Sequence, residues 1–285
     1  MTKSQTKSNA RVWFITGCSS GMGRLLAEEV LKAGDKVVAT ARNIGTIADL
    51  EKKYPDTARA LSLDVTHPQQ IATAVEQALE HFGHIDVLVN NAGYGLMGAI
   101  EEVQDDEIAR EIETNVYGVV NVTRALLPHL RARRSGHILN VSSIAGIIAT
   151  PGLGIYNLTK FAVEGFSEAL SLELAPLGVK VTIIEPGPFR TEFLAGSAVH
   201  TKLTIPDYAE TAGKVRNNLK AGDGSQKGDP LKAVHAMMQV VDAPEPPLRL
   251  LLGAMAFKRM QAKIALLERD AKAWESVTLG ADFPD

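Results

Sequence analysis

Short apolar runs recur along this chain between longer stretches in which apolar positions return every three or four residues. Val12–Thr16, Lys36–Ala41, Arg59–Leu63, Val87–Asn90, His137–Val141 and Val179–Ile184 are runs of the first kind. Their hydrophobicity is nearly continuous, the signature of parallel strands buried on both faces. Arg24–Ala33, Ile47–Tyr54, Pro68–Phe82, Asp105–Arg133 and Tyr156–Ala175 carry the helical period. Strand and helix in alternation predict an α/β protein: a doubly wound parallel sheet covered by helices on both faces, with ligands at the carboxyl ends of the strands.

Ile108, Ile112, Val116, Val119, Leu126 and Leu130 form the apolar stripe of the long fourth helix, with Asn115 as a polar exception and Pro128 expected to bend its last turn. Val163, Phe166, Leu170 and Leu174 repeat the pattern in the fifth helix. After Pro186-Gly187 the alternation stops, and residues 188–229 are rich in turn formers, with one weak helical patch at Tyr208–Leu219. A long irregular segment in a compact domain is usually functional. Pro230–Val241, Leu248–Leu251 and Phe257–Val277 then read as helix, short strand and a final amphipathic helix. The expected organisation is a polar tail over residues 1–9 and one domain over residues 10–285.

Composition excludes several classes. A net charge of −3, without a long run of like charge, gives no footprint for nucleic acid or a membrane surface. Arg131 to Arg134 form the densest basic cluster, and it reads as cations at a helix C-terminus. No segment has the unbroken apolar length of a membrane span. One cysteine, Cys18, permits no intramolecular disulfide, so the cytoplasm is the expected location. The 7 histidines show no metal-ligand spacing.

Thr16-Gly17-Cys18-Ser19-Ser20-Gly21-Met22-Gly23 lies directly between the first strand and first helix. Glycines let the backbone approach a ligand, and the first N–H groups of the helix point at it unpaired, which suits a pyrophosphate. The spacing, G-x-x-x-G-x-G, departs from the usual dinucleotide fingerprint. Far downstream, Tyr156 and Lys160 are spaced to share one helix face, close behind Ser143. A tyrosine beside a lysine is suited to proton transfer, because a nearby cation favours the phenolate.

The glycine loop, Asp64-Val65, Asn90-Asn91-Ala92-Gly93, Asn115, Ser143, Tyr156, Lys160 and Pro186-Gly187, in this order, resemble the short-chain dehydrogenase/reductase family in its single-domain form. That resemblance covers residues 11–255 and implies a Rossmann-type fold and a nicotinamide cofactor. It implies Tyr156 as acid, Ser143 as holder of the substrate oxygen, Lys160 as partner of the ribose hydroxyls and Asn115 as holder of a relay water. Cofactor contacts are implied at Gly17, Ser19, Ser20, Gly21, Met22, Gly23, Asp64, Val65, Asn91, Ala92, Gly93, Tyr156, Lys160, Pro186, Gly187, Phe189 and Thr191. By the same likeness residues 188–229 form a substrate lid, and the outer faces of the fourth and fifth helices form a homodimer or homotetramer interface. Parts of the chain look most like bacterial carbonyl reductases similar to 17β-hydroxysteroid and retinol dehydrogenases.

The residues at the end of the second strand, Ala39-Thr40-Ala41-Arg42, bear on cofactor choice. NAD-dependent dinucleotide folds commonly place an acid there for the ribose hydroxyls. This chain has no acid at that point, Asp35 comes too early, and Arg42 offers a charged fork for a 2′-phosphate, so NADP(H) is expected over NAD(H). Tyr94, Leu96, Ile144, Ala145, Leu153, Phe193 and Leu194 are candidate pocket residues, mainly apolar, pointing to a hydrophobic ketone, aldehyde or secondary alcohol. The leading expectation is an NADPH-dependent carbonyl reductase. A non-catalytic dinucleotide sensor stays open beside it. An epimerase would need a larger C-terminal domain.

Overall fold

A computed structural model describes residues 10–283; the side chains of Leu194 and Ala195 fall outside the described set. The expected tail at 1–9 and the pocket assignment of Leu194 therefore lie outside the described residues.

Strands β1 (Val12–Ile15), β2 (Lys36–Ala41), β3 (Ala58–Ser62), β4 (Val87–Asn90), β5 (Gly95–Met97), β6 (Gly136–Val141), β7 (Val179–Pro186), β8 (Ala198–His200) and β9 (Arg249–Leu252) form two sheets. The main one has 7 strands in the order β3-β2-β1-β4-β6-β7-β9, and every pairing is parallel. Helices α1 (Gly21–Lys32), α2 (Ala48–Lys53), α3 (Pro68–Phe82), α4 (Asp105–Ile112), α5 (Gly118–Arg133), α6 (Gly154–Leu174), α7 (Lys214–Ala221), α8 (Pro230–Asp242), α9 (Ala254–Ala273) and α10 (Glu275–Leu279) complete the order.

Successive side chains of β1 enter opposite cores, which is why the strand reads as continuously apolar. Trp13 and Ile15 pack with Leu26, Val30, Val234 and Met237 from α1 and α8. Val12 and Phe14 pack with Ile71, Val122, Leu126 and Leu170 from α3, α5 and α6. Asp35 sits at the amino ends of the strands, accepting from Arg11 N at 3.0 Å and Trp13 Nε1 at 2.9 Å, so its role is to fasten β1.

The expected helix Asp105–Arg133 is interrupted. A π-helical turn, Glu113–Tyr117, separates α4 from α5, whereas α5 continues through Pro128. The extra residue in that turn changes which side faces inward. Glu111 and Asn115 are buried while Ile112 and Val116 are left half-buried, the reverse of the stripe expected from sequence. The basic cluster does end α5: Arg131 and Arg133 lie in its last turn, and Arg133 reaches Asp86 at 3.0 Å.

Residues 188–229 are more regular than the sequence suggests. β8 pairs with β5 in a separate parallel ribbon, and α7 follows. Glu102, fully buried, holds this segment down: its carboxylate accepts from Ile205 N at 2.8 Å and Ala99 N at 2.8 Å and faces Arg216 at 3.5 Å. The predicted final helix is α9 followed by the short α10; only Ala256 of α9 is buried. Among the described residues no helix is long and apolar enough to cross a membrane.

Candidate active site

At the carboxyl ends of β1, β2, β4, β6 and β7 lies a cavity of about 1030 Å³. One wall is the glycine loop. Gly17 and Gly21 have φ of +72° and +58°, values that favour glycine, while a Cβ on Gly23 would stand 2.3 Å from Asn91 Nδ2 and 2.4 Å from Gly17 O. Gly17, Ser19, Ser20, Gly21 and Met22 line the cavity; Gly23 lies behind them and acts through packing. Asn91 ties the loop to β4 by donating to Thr16 O at 2.9 Å and Gly17 O at 3.0 Å. Ser20 caps α1 without a side-chain hydrogen bond, and the first turn of α1 holds no acidic residue. The N–H groups of that turn are thus left for an anion, which is how the residues present fit a pyrophosphate.

Arg42, Asp64, Val65, Asn91, Ala92, Gly93, Pro186, Gly187, Phe189 and Thr191 line the same cavity. Arg42 is exposed at the end of β2, and no carboxylate lies within ion-pair distance of it among the described residues. Asp64 is engaged by its own turn, accepting from Thr66 N at 3.0 Å and Thr66 Oγ1 at 2.8 Å. Burial would raise its pKa, but these bonds outweigh it and hold the carboxyl below its usual range.

Ser143, Tyr156 and Lys160 stand together in the lining of the same cavity. Ser143 leaves β6 in extended conformation and caps a short 3₁₀ turn, accepting from Ala145 N at 3.1 Å. Tyr156 and Lys160 are one turn apart on α6, and Lys160 Nζ lies 5.7 Å from the Tyr156 ring centre. Burial, rather than the Lys160 ammonium, sets the direction in which the tyrosine is shifted in this geometry. Burial pushes Tyr156 up to about 12, with the Ser143 hydroxyl opposing and Glu111 adding to the rise. Lys160 itself is brought down to about 8, again by burial, against the pull of Glu111 and Glu164. Its ammonium donates to Val141 O at 2.9 Å.

Asn115 does not line the cavity. Its side chain is committed within the protein: Oδ1 accepts from Tyr94 N at 3.0 Å, and Nδ2 donates to Tyr94 O at 2.7 Å and Thr159 Oγ1 at 3.2 Å. It clamps the start of β5 to α6. Glu111, one turn earlier, accepts from Leu96 N at 3.1 Å, and burial raises its carboxyl to about 8.

Tyr94, Ile144, Ala145, Leu153 and Phe193 line the cavity as expected, Phe193 tilted against Tyr156 with ring centres 5.9 Å apart. Leu96 does not: it is buried with Val103 and Ile155 in a separate small cluster, because β5 turns it away from the cleft. Met97, Thr150, Val199, Leu219, Gln226 and Arg259 also line the cavity without having been singled out from sequence. They come from segments far apart in the chain and form no local pattern.

A parallel Rossmann-type sheet whose glycine loop shares one cavity with a Ser–Tyr–Lys cluster defines a class, the dinucleotide-fold oxidoreductases. Within it, a family model described as short chain dehydrogenase matches residues 11–201, and the chain belongs to that family. Oxidoreductase BOA17 of Botryotinia fuckeliana is 39% identical over 272 residues, which span 95% of this chain and 99% of that protein. A short-chain dehydrogenase structure from Streptomyces avermitilis superposes with a TM-score of 0.91 at 42% identity, covering 97% of this chain and 100% of that one. The 3-ketoacyl-(acyl-carrier-protein) reductase of Brucella melitensis, complexed with NADH, gives a TM-score of 0.72 at 30% identity, covering 85% and 96%.

Proposed function

We propose that this protein is an NADPH-dependent carbonyl reductase, reversible as a secondary-alcohol dehydrogenase, acting on a largely apolar ketone or aldehyde. The observation that carries the reading is that Ser143, Tyr156 and Lys160 line the same cleft as the glycine loop. A pure dinucleotide sensor needs the loop but no acid in its cleft.

The reduced dinucleotide, when bound, supplies a hydride to the carbonyl carbon. Gly17, Ser19, Ser20, Gly21 and Met22 would hold its phosphates, with Asp64 and Val65 beside the adenine and Lys160 beside a ribose. Tyr156 is protonated at neutral pH, as its burial demands, so it is ready to give its proton to the substrate oxygen as charge develops there. The Ser143 hydroxyl orients that oxygen and stabilises the phenolate left on Tyr156. Lys160, close by and cationic at neutral pH, offsets the same negative charge. Asn115 serves as a positioning residue, keeping Tyr94 and α6 in register.

The preference for NADPH rests on Arg42. The Brucella reductase was captured with NADH, whereas here an unpaired guanidinium occupies the end of β2, where a ribose-binding acid would select NADH. Residues 188–229 act as the lid. Tyr117, Leu158, Phe161 and Leu172 are 43–73% exposed on α6 and the π-helical turn, which suits a homodimer or homotetramer. Sedimentation showing only monomer at micromolar concentration overturns that assembly.

The test is consumption of NADPH and of NADH over a panel of apolar ketones, with Tyr156→Phe beside the wild type. Turnover with NADPH that the variant lacks supports the reading. Tight NADPH binding with no turnover on any ketone turns it toward the sensor.

A further inference from the structure

Arg259 stands in the second turn of α9, beyond the last strand of the sheet, and lines the cleft beside Thr150. The sheet order separates it from Arg42: Arg42 follows β2, near one edge, while α9 follows β9 at the other. Arg42 is thereby with the adenine-side residues and Arg259 is with the substrate-side loop that follows Ser143.

One edge of the guanidinium is fixed. Nη2 donates to Thr150 Oγ1 at 2.8 Å, Ala149 O at 3.3 Å and Ile148 O at 3.4 Å. Nε and Nη1 have no hydrogen-bond acceptor, and no carboxylate pairs with Arg259, among the described residues. Arg110, which also lines the cleft, differs by being paired with Asp106. Arg24 and Arg110 are made harder to deprotonate by hydrogen-bonded aspartates; Arg259 alone among the arginines is shifted the other way, by burial with no anion opposing it. A half-buried, pre-oriented guanidinium with free donors, in a cleft that Leu153, Phe193, Val199 and Leu219 also line, is suited to receive an oxyanion from a largely apolar ligand.

We propose that Arg259, steadied by Thr150, is the substrate-specificity residue of this cleft, and that it binds a carboxylate carried by the ketone substrate at a distance from its carbonyl. The inference rests on the carbonyl-reductase reading above and narrows it from apolar ketones to apolar oxo acids. Arg259 lies on the substrate side and makes no part of the proton transfer by Tyr156. Its effect is on binding the correct substrate and rejecting neutral analogues, because an ester leaves the half-buried cation without an anionic partner.

The test uses aryl oxo acids of graded chain length, each with its methyl ester, as substrates of the full-length wild type, Arg259→Lys and Arg259→Met with NADPH. Wild type is expected to prefer one acid over its ester by about tenfold or more in kcat/KM, mostly through KM, with an optimum chain length. Arg259→Met brings that ratio to about one, and Arg259→Lys retains part of it. An acid-to-ester ratio that is near one in the wild type, or unchanged in Arg259→Met, overturns the proposal. Arg259→Met lowering acid and ester alike also overturns it, leaving only an anchor for the loop at 148–150. A second measurement separates this proposal from the reaction itself: calorimetric titration of NADP-loaded protein with the corresponding non-ketonic aryl carboxylic acids. Binding weakened about tenfold in Arg259→Met supports the carboxylate site even where no ketone is reduced, and absence of binding to the wild type overturns it.

Discussion

Lys160 Nζ donates to the main-chain oxygen of Val141 at 2.9 Å, across the gap between α6 and the end of β6. That bond anchors a buried cation beside Tyr156 at an energetic cost, since Lys160 is only 7% exposed and its pKa is held at about 8, well below the 10.5 of a free lysine.

The cost has a sign that stability measurements can read. Below pH 8 the lysine is charged in both folded and unfolded chains, and the fold carries the desolvation penalty. Between about 8 and 10.5 the unfolded chain binds the proton more strongly, so stability rises with pH across that window. Lys160→Met is expected to abolish this rise and to unfold later at pH 7, by about 1–3 kcal/mol, while losing turnover. Denaturant unfolding at pH 7 and pH 10 checks both.

Tyr156→Phe should lower kcat by about 10²–10⁴-fold and leave NADPH affinity within a few-fold, because in the proposed reaction the phenol acts on the substrate oxygen. The high pKa of Tyr156, about 12, gives a second expectation. Ketone reduction uses the protonated phenol and should vary little from pH 7 to pH 9 on its account, whereas alcohol oxidation uses the phenolate and should keep climbing over the same range. A plateau in oxidation near pH 8 would contradict that assignment.

Arg42→Asp should reverse the cofactor preference. A charge-assisted bond to a 2′-phosphate contributes roughly 1.5–3 kcal/mol, so the NADPH-to-NADH ratio in kcat/KM should fall by at least about tenfold, with the new carboxylate also free to accept from ribose hydroxyls. An unchanged ratio removes Arg42 from cofactor selection.

Glu102 links the segment carrying Ile205 and Arg216 to the body of the protein. Burial works to raise its carboxyl, but the N–H groups of Ile205 and Ala99, together with Arg216, outweigh it and hold the pKa below the usual glutamate range. The stabilisation is present above about pH 4.5 and is lost as pH falls through the lowered value. Glu102→Ala leaves buried donors unpaired and should cost about 1–3 kcal/mol locally. Faster proteolysis within residues 198–221, with KM rising more than kcat falls, is the expected outcome.

Gly23→Ala puts a methyl group 2.3 Å from Asn91 Nδ2 and 2.4 Å from Gly17 O. The loop and β4 must separate to admit it, and dinucleotide affinity should drop about tenfold or more. Fluorescence titration with NADPH measures this directly.

Local pattern carried the strands because β2 and β4 are bounded by turn residues and buried on both faces; their observed limits equal those read from the sequence. The glycine loop and the Tyr156–Lys160 pair were also legible, each being a short motif whose geometry follows from one element. Periodicity misplaced the stripe of α4 because one added residue in the π-helical turn at Glu113–Tyr117 rotates everything before it. Leu96 looked like a pocket residue by its neighbours Tyr94 and Gly95, and only its burial against Val103 and Ile155, the latter some 60 residues away, shows which way it points.

The sequence by itself determined the parallel α/β order, the glycine loop between β1 and α1 and the one-turn spacing of Tyr156 and Lys160, since these depend on spacing along a few turns of backbone. Tertiary structure alone decided the inward turn of Glu111 and Asn115, the fastening of Ile205 and Arg216 by Glu102 and the arrival of Arg259 beside Thr150. Those contacts join segments more than 80 residues apart or depend on burial, and neither the direction of a side chain nor the loss of its water is written in local periodicity.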